Sequence, residues 1–78
     1  SESFEIDGIE FTIERSSSAR KICKDGEVLK EIDKKASVVP AEISLEGETY
    51  NVMLIFDTSG NLKNAYAQGE DGKTREVN

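Results

Sequence analysis

Apolar and polar residues alternate along most of this chain, and the alternation predicts its elements. Phe4 and Ile6, then Ile9, Phe11 and Ile13, fall on one side of a two-residue repeat, while Glu10, Thr12 and Glu14 fall on the other. That period belongs to half-buried β-strands, with one face on a core and one in water. Residues 48–57 depart from it: Tyr50, Val52, Leu54 and Phe56 line one face, and Met53 and Ile55 place apolar groups on the other as well. Such a pattern predicts a central strand covered on both faces. Leu62, Ala65, Tyr66 and Ala67 predict its partner strand, and residues 73–77 a short charged edge strand.

The connections between these runs are short and carry turn chemistry. Asp-Gly occurs at 7–8, 25–26 and 71–72, Glu-Gly at 46–47 and Ser-Gly-Asn at 59–61. Tight two-residue turns need positive φ, which glycine accepts freely and aspartate less readily, so the spacing predicts antiparallel hairpins. Residues 27–36 are ambiguous. Val28, Leu29 and Ile32 fit one stripe of a short helix, and Glu27, Glu31, Lys34 and Lys35 mix supportive and repulsive helical pairs. The competing reading pairs 21–23 with 28–32 across Asp25-Gly26, and the local turn favours it. Pro40 ends whatever precedes it, because it restricts the residue before it and has no donor to give a central strand. The expected fold is therefore mostly β: an antiparallel hairpin meander forming a small barrel or a two-layer sandwich, with one short helix near 27–36 as the open alternative. Residues 4–13 and 43–52 also share one pattern, apolar-x-apolar-acidic-Gly-x-x-aromatic-x-apolar, which any two half-buried hairpins of equal length would produce.

Length limits the chain to one core, so residues 1–78 are expected to form a single domain. Charge changes the picture more than composition does. The net charge of −6 argues against direct nucleic-acid binding and against attachment to anionic membranes. It is unevenly spread: residues 1–14 sum to −5, residues 15–35 to +3 and residues 36–78 to −4. The longest apolar run, residues 52–56, is too short for a membrane helix, and no membrane insertion is expected. One cysteine, Cys23, allows no intramolecular disulfide. It sits beside Arg20, Lys21 and Lys24, cations that favour a thiolate, but a small apolar filler within a strand is the preferred reading.

The chain has no histidine, which excludes Ser-His and Cys-His nucleophile pairs and histidine-ligated metals. Asp57, Ser59 and Asn61 alternate as oxygen ligands of a calcium loop would, yet glycine falls at the fourth position and Gln68 stands where a carboxylate is needed. A hairpin turn explains them. Gly69-Glu70-Asp71-Gly72 places two negative charges where a bound phosphate would sit. No catalytic residue, metal or cofactor is expected, and the chain does not read as an enzyme.

Residues 38–52, Val-Val-Pro-Ala-Glu-Ile-Ser-Leu-Glu-Gly-Glu-Thr-Tyr-Asn-Val, together with the Asp-Gly-Ile-x-Phe-x-Ile stretch at 7–13, resemble the β-hairpin lead-in of BspA-type leucine-rich repeat surface proteins. The resemblance covers residues 4–13 and 38–52. It implies a β-rich capping segment of a surface or adhesion protein, with no catalytic residues. Residues 56–78 show none of the leucine and asparagine periodicity of that family's repeats. Two functions follow as expectations. The first is a non-enzymatic interaction or capping module that binds a protein or glycan partner. The second is an acidic decoy that mimics nucleic acid and occupies the basic surface of a nucleic-acid-handling protein. For the second, Glu5, Glu10 and Glu14 would share one outward face and Glu42, Glu46 and Glu48 would gather around the second turn; alternate strand residues lie roughly 6.6–6.8 Å apart, close to the phosphate spacing along a nucleic-acid strand.

Overall fold

The computed structural model describes residues 2–78, which form eight strands and no helix. They are β1 (Glu2–Ile6), β2 (Ile9–Arg15), β3 (Arg20–Lys24), β4 (Glu27–Ile32), β5 (Val38–Leu45), β6 (Glu48–Phe56), β7 (Leu62–Gln68) and β8 (Thr74–Glu76). Every pairing is antiparallel between neighbours in sequence, giving two four-stranded meanders ordered β1-β2-β3-β4 and β5-β6-β7-β8. The two sheets pack as layers, so of the two expected architectures the sandwich is the one formed, and no closed barrel exists among the described residues.

Turn chemistry sets the register. At 7–8, 25–26 and 46–47 both central residues have positive φ, 52° and 82°, 50° and 82°, and 50° and 82° respectively. That is the two-residue turn whose twist matches the strands it joins. The resulting register puts Phe4 opposite Phe11 and Ile43 opposite Tyr50, all on inward faces. Both sheets contribute to one core: Phe11, Ile22, Ile43 and Leu54 are its largest fully buried side chains. The radius of gyration, 11.7 Å, matches the roughly 11.5 Å expected of one compact domain of this length.

The short-helix alternative at 27–36 does not form. The reason is a β-bulge between Ile22 and Cys23, where Cys23 pairs with Val28 but Ile22 pairs with Lys30. The extra residue on β4 resets the alternation, so Leu29 and Ile32 both face the core. A spacing of three between inward positions is what made the stretch look helical. A second correction concerns β6. It is interior to its sheet, as expected, but only one of its faces is covered: Met53 is 44% exposed. A two-layer sandwich has no third layer to bury the outer side.

In a meander successive connections alternate between ends. The tight turns at 7–8, 25–26 and 46–47 and the 69–73 turn share one end of the sandwich, where the Arg75 and Asp7 side chains meet at 3.3 Å. The opposite end holds the 16–19 and 57–61 loops and the sheet-to-sheet crossing at 33–37. Between the ends one residue joins the layers through its backbone: the Val77 N–H donates to the Ala65 carbonyl at 2.8 Å, and the Val77 carbonyl accepts from the Glu5 N–H at 2.9 Å. Truncating Phe11 to alanine is expected to cost about 3–5 kcal/mol in urea unfolding, and Met53→Ala no more than about 0.5 kcal/mol. Similar losses in both variants would contradict the placement of the core.

Candidate functional site

The six acidic residues singled out from the sequence do not form one array. Glu5 lies directly opposite Glu10. Because the Glu5 N–H is directed away from β2 to Val77, this is the closer, non-hydrogen-bonded kind of pair, in which like charges repel. Glu14 shares their outward face but lies beyond Thr12 and opposite Lys21, which in turn lies opposite Glu31. Lysine therefore interrupts the acidic face. In the second sheet Glu42 faces outward opposite Asn51, Glu46 is a turn residue, and Glu48 follows the opposite parity, at the mouth of a 630 Å³ cleft that Asp7 and Arg75 also line. Glu42 and Glu48 thus belong to opposite sides of their sheet.

The outer faces of the two sheets differ in kind. On the first sheet that face presents Ser3, Glu5, Glu10, Thr12, Glu14, Lys21 and Glu31, with Val28 beside Cys23 as its apolar exception. On the second, Val38 lies opposite Ile55, and Pro40, Met53 and Tyr66 form a continuous cross-strand row that ends at Glu76. Val38 is 53% exposed and Met53 44%, Pro40 is exposed, and Ile55 and Tyr66 are half-buried. Glu42 and Glu76 flank this apolar row, and Glu76 accepts a hydrogen bond from Asn64 Nδ2 at 2.7 Å. Antiparallel sheets commonly turn a polar face to water, so an apolar row across the outer face of one sheet, among polar Ser44, Thr49, Asn51 and Asn64, is a difference from the other sheet.

The loop end has its own geometry. Four cations, Arg15, Arg20, Lys34 and Lys35, and two carboxylates, Glu2 and Asp57, line a 1020 Å³ cleft there. Arg15 spans the sheets, donating to the Gly60 carbonyl at 2.9 Å and to Asn61 Oδ1 at 2.8 Å while pairing with Glu2 at 3.3 Å; Glu2 also accepts from the Leu62 N–H. Arg20 is only 3% exposed. Its guanidinium lies 3.6 Å from the centroid of Phe56, and Nη1 donates to the Asp33 and Ala36 carbonyls at 3.0 and 3.2 Å. Burial, and next the positive charge of Arg15, push its pKa below the usual arginine value, with Glu2 and Asp33 opposing. The loop that supplies the two carbonyls is held by Asp33, whose Oδ1 accepts from the amides of Lys35 and Ala36 at 2.7 and 3.1 Å and whose carboxyl those bonds hold below the ordinary range.

Asp57 serves its turn in the same way, accepting from the amides of Ser59 and Asn61, each at 2.9 Å, which is the hairpin role expected of it. Cys23 is buried, and burial followed by the negative charge of Glu14 pushes its thiol up, against a smaller opposing effect of Lys21. No helix among the described residues is long and apolar enough to cross a membrane. Comparison with known proteins finds no matching family model, no matching curated protein and no matching solved structure.

Two outcomes test this description. Cys23 in the folded protein is expected to react with iodoacetamide at neutral pH more slowly than free cysteine, and to reach the free rate only in denaturant. The Asp33 carboxyl titrates lower folded than unfolded, so the stability it contributes is present above the unfolded value of about 3.9 and is lost as pH falls through the folded one. The melting temperature of Asp33→Asn is therefore expected to lie below the parent's at neutral pH and to converge with it at the acid end. A constant gap between pH 7 and pH 2.5 would exclude the charge-dependent cap.

Proposed function

We propose that this domain is a non-enzymatic protein-binding module and that its contact surface is the outer face of the second sheet. The observation that supports the reading is the outward row of exposed Val38, Pro40 and Met53 with half-buried Ile55 and Tyr66, beside a first sheet whose outer face is charged. Burying such a row removes apolar surface from water at about 25 cal/mol per Å², and Tyr66 adds a ring with a polar tip suited to interface centres. The partner is a protein that presents an apolar ridge flanked by Lys or Arg, because Glu42 and Glu76 flank the row and the chain carries −6 overall. The likeness of residues 4–13 and 38–52 to the lead-in of BspA-type surface proteins adds a setting to the proposal, a capping or adhesive module. Those stretches are the first hairpin of each sheet.

The test uses three forms of the domain: the parent, Met53→Lys with Ile55→Lys, and Glu5→Lys with Glu10→Lys. Each is immobilised, protein retained from source-cell lysate is identified, and the retained partner is purified and titrated. The sheet-face variant is expected to bind at least tenfold more weakly, while the glutamate variant keeps its affinity. A basic nucleic-acid-handling partner lost with the glutamates and released by salt would transfer the function to the acidic face. Self-association of the parent in sedimentation, abolished by Met53→Lys, would make the occupant a second copy and overturn the proposed heterologous partner.

A further inference from the structure

Arg20 is a buried cation without a carboxylate of its own. Every carboxylate near it is engaged elsewhere: Glu2 with Arg15 and the Leu62 amide, Asp33 with the amides of Lys35 and Ala36, and Asp57 with those of Ser59 and Asn61. Two of its five donors satisfy the Asp33 and Ala36 carbonyls through Nη1, and one face of the guanidinium rests on Phe56. Nε is buried with no hydrogen-bond partner, and Nη2 has no protein acceptor among the described residues. Nε is sealed beneath its neighbours, so Nη2 is the unpartnered donor of Arg20 that a ligand in the cleft can reach.

We infer that the cleft at the loop end binds an oxyanion, specifically a phosphate group, on Nη2 of Arg20, the unpartnered nitrogen that is not sealed from solvent. A buried charge is tolerated when it is paired and hydrogen-bonded; two carbonyls and an aromatic face satisfy part of Arg20, and a water molecule on Nη2 would neutralise nothing. An oxyanion supplies both the acceptors and the charge. The surroundings suit a dianion better than a monoanion: four cations face two carboxylates that are already engaged, within a chain that is otherwise acidic. Lys35, whose ammonium makes no hydrogen bond or ion pair among the described residues, is free to turn toward the bound group, and a 1020 Å³ cleft leaves room for whatever the phosphate is attached to. The site lies on the inward side at one end of the sandwich, apart from the outer sheet face proposed for protein binding, so either assignment can fail without the other.

The experiment is a titration of isotope-labelled domain with inorganic phosphate at pH 7.5 and constant ionic strength, following the Arg20 Nε–H resonance and the amides of Ala36, Ser37 and Asn61. A saturable shift confined to that set is expected, with sodium chloride producing none and acetate binding more weakly than phosphate. Lys35→Gln, which removes a side chain that holds nothing in place, is expected to weaken phosphate binding about threefold, the scale of one solvent-exposed charge. Arg20→Lys, checked for retained β structure, is expected to abolish saturation because the Nη2 donor is gone. Linear shifts reproduced by chloride, or shifts centred on Lys73 and Arg75, would overturn the site, and acetate binding as tightly as phosphate would overturn the phosphate assignment.

Discussion

Neither meander can stand without the other, and the rest of the structure follows from that dependence. Each sheet has one apolar face, drawn from alternate residues, and a four-stranded sheet in water must cover that face. Phe4, Phe11 and Ile22 from the first sheet share a core with Ile43, Leu54 and Ala65 from the second. Among the described residues, no strand or helix lies outside this pair of layers. The outer faces therefore carry no burden of folding, and their composition is free to serve something else.

Ties around the edges of the core fix how the layers sit, and they are unequal. At the turn end the Arg75 and Asp7 pair is solvent-exposed, of the kind that contributes at most about 1 kcal/mol. At the loop end Arg20 is sealed over Phe56 and anchored to two carbonyls, while Arg15 bonds to Gly60 and Asn61 across the gap. Desolvated cation–π contact is worth about 2 kcal/mol, so the loop end is held more firmly than the tips of the hairpins. The same arrangement leaves Nη2 of Arg20 with no acceptor among the described residues. A feature that locks two sheets together and retains donors in hand serves structure and recognition at once.

Legibility in the sequence followed the range of the interactions. Hairpins at 7–8, 25–26 and 46–47 were readable because a two-residue turn is a local event, decided by an acidic residue and a glycine. The strand at 27–32 was obscured because a bulge opposite Ile22 places Leu29 and Ile32 three residues apart on the same face. Met53 and Ile55 were visible as a second apolar face of β6, but periodicity cannot tell a covered face from an exposed one, and they read as core. Arg20 gave no signal beyond its charge. Its environment is assembled from Phe56, Asp33 and Ala36, and only the fold brings the first of these near it. The acidic residues erred the other way: Glu42, Glu46 and Glu48 are close along the chain, yet strand parity separates them.

The repeated pattern of residues 4–13 and 43–52 has a consequence in three dimensions. Each copy is the opening hairpin of its own four-stranded meander, with the same turn conformation. When the copies are aligned Phe4 on Ile43, Phe11 falls on Tyr50, and these two rings touch each other, edge to face, with centroids 5.9 Å apart. The two opening hairpins therefore meet through corresponding positions, and a substitution that shrinks either ring loosens the same point of the shared core.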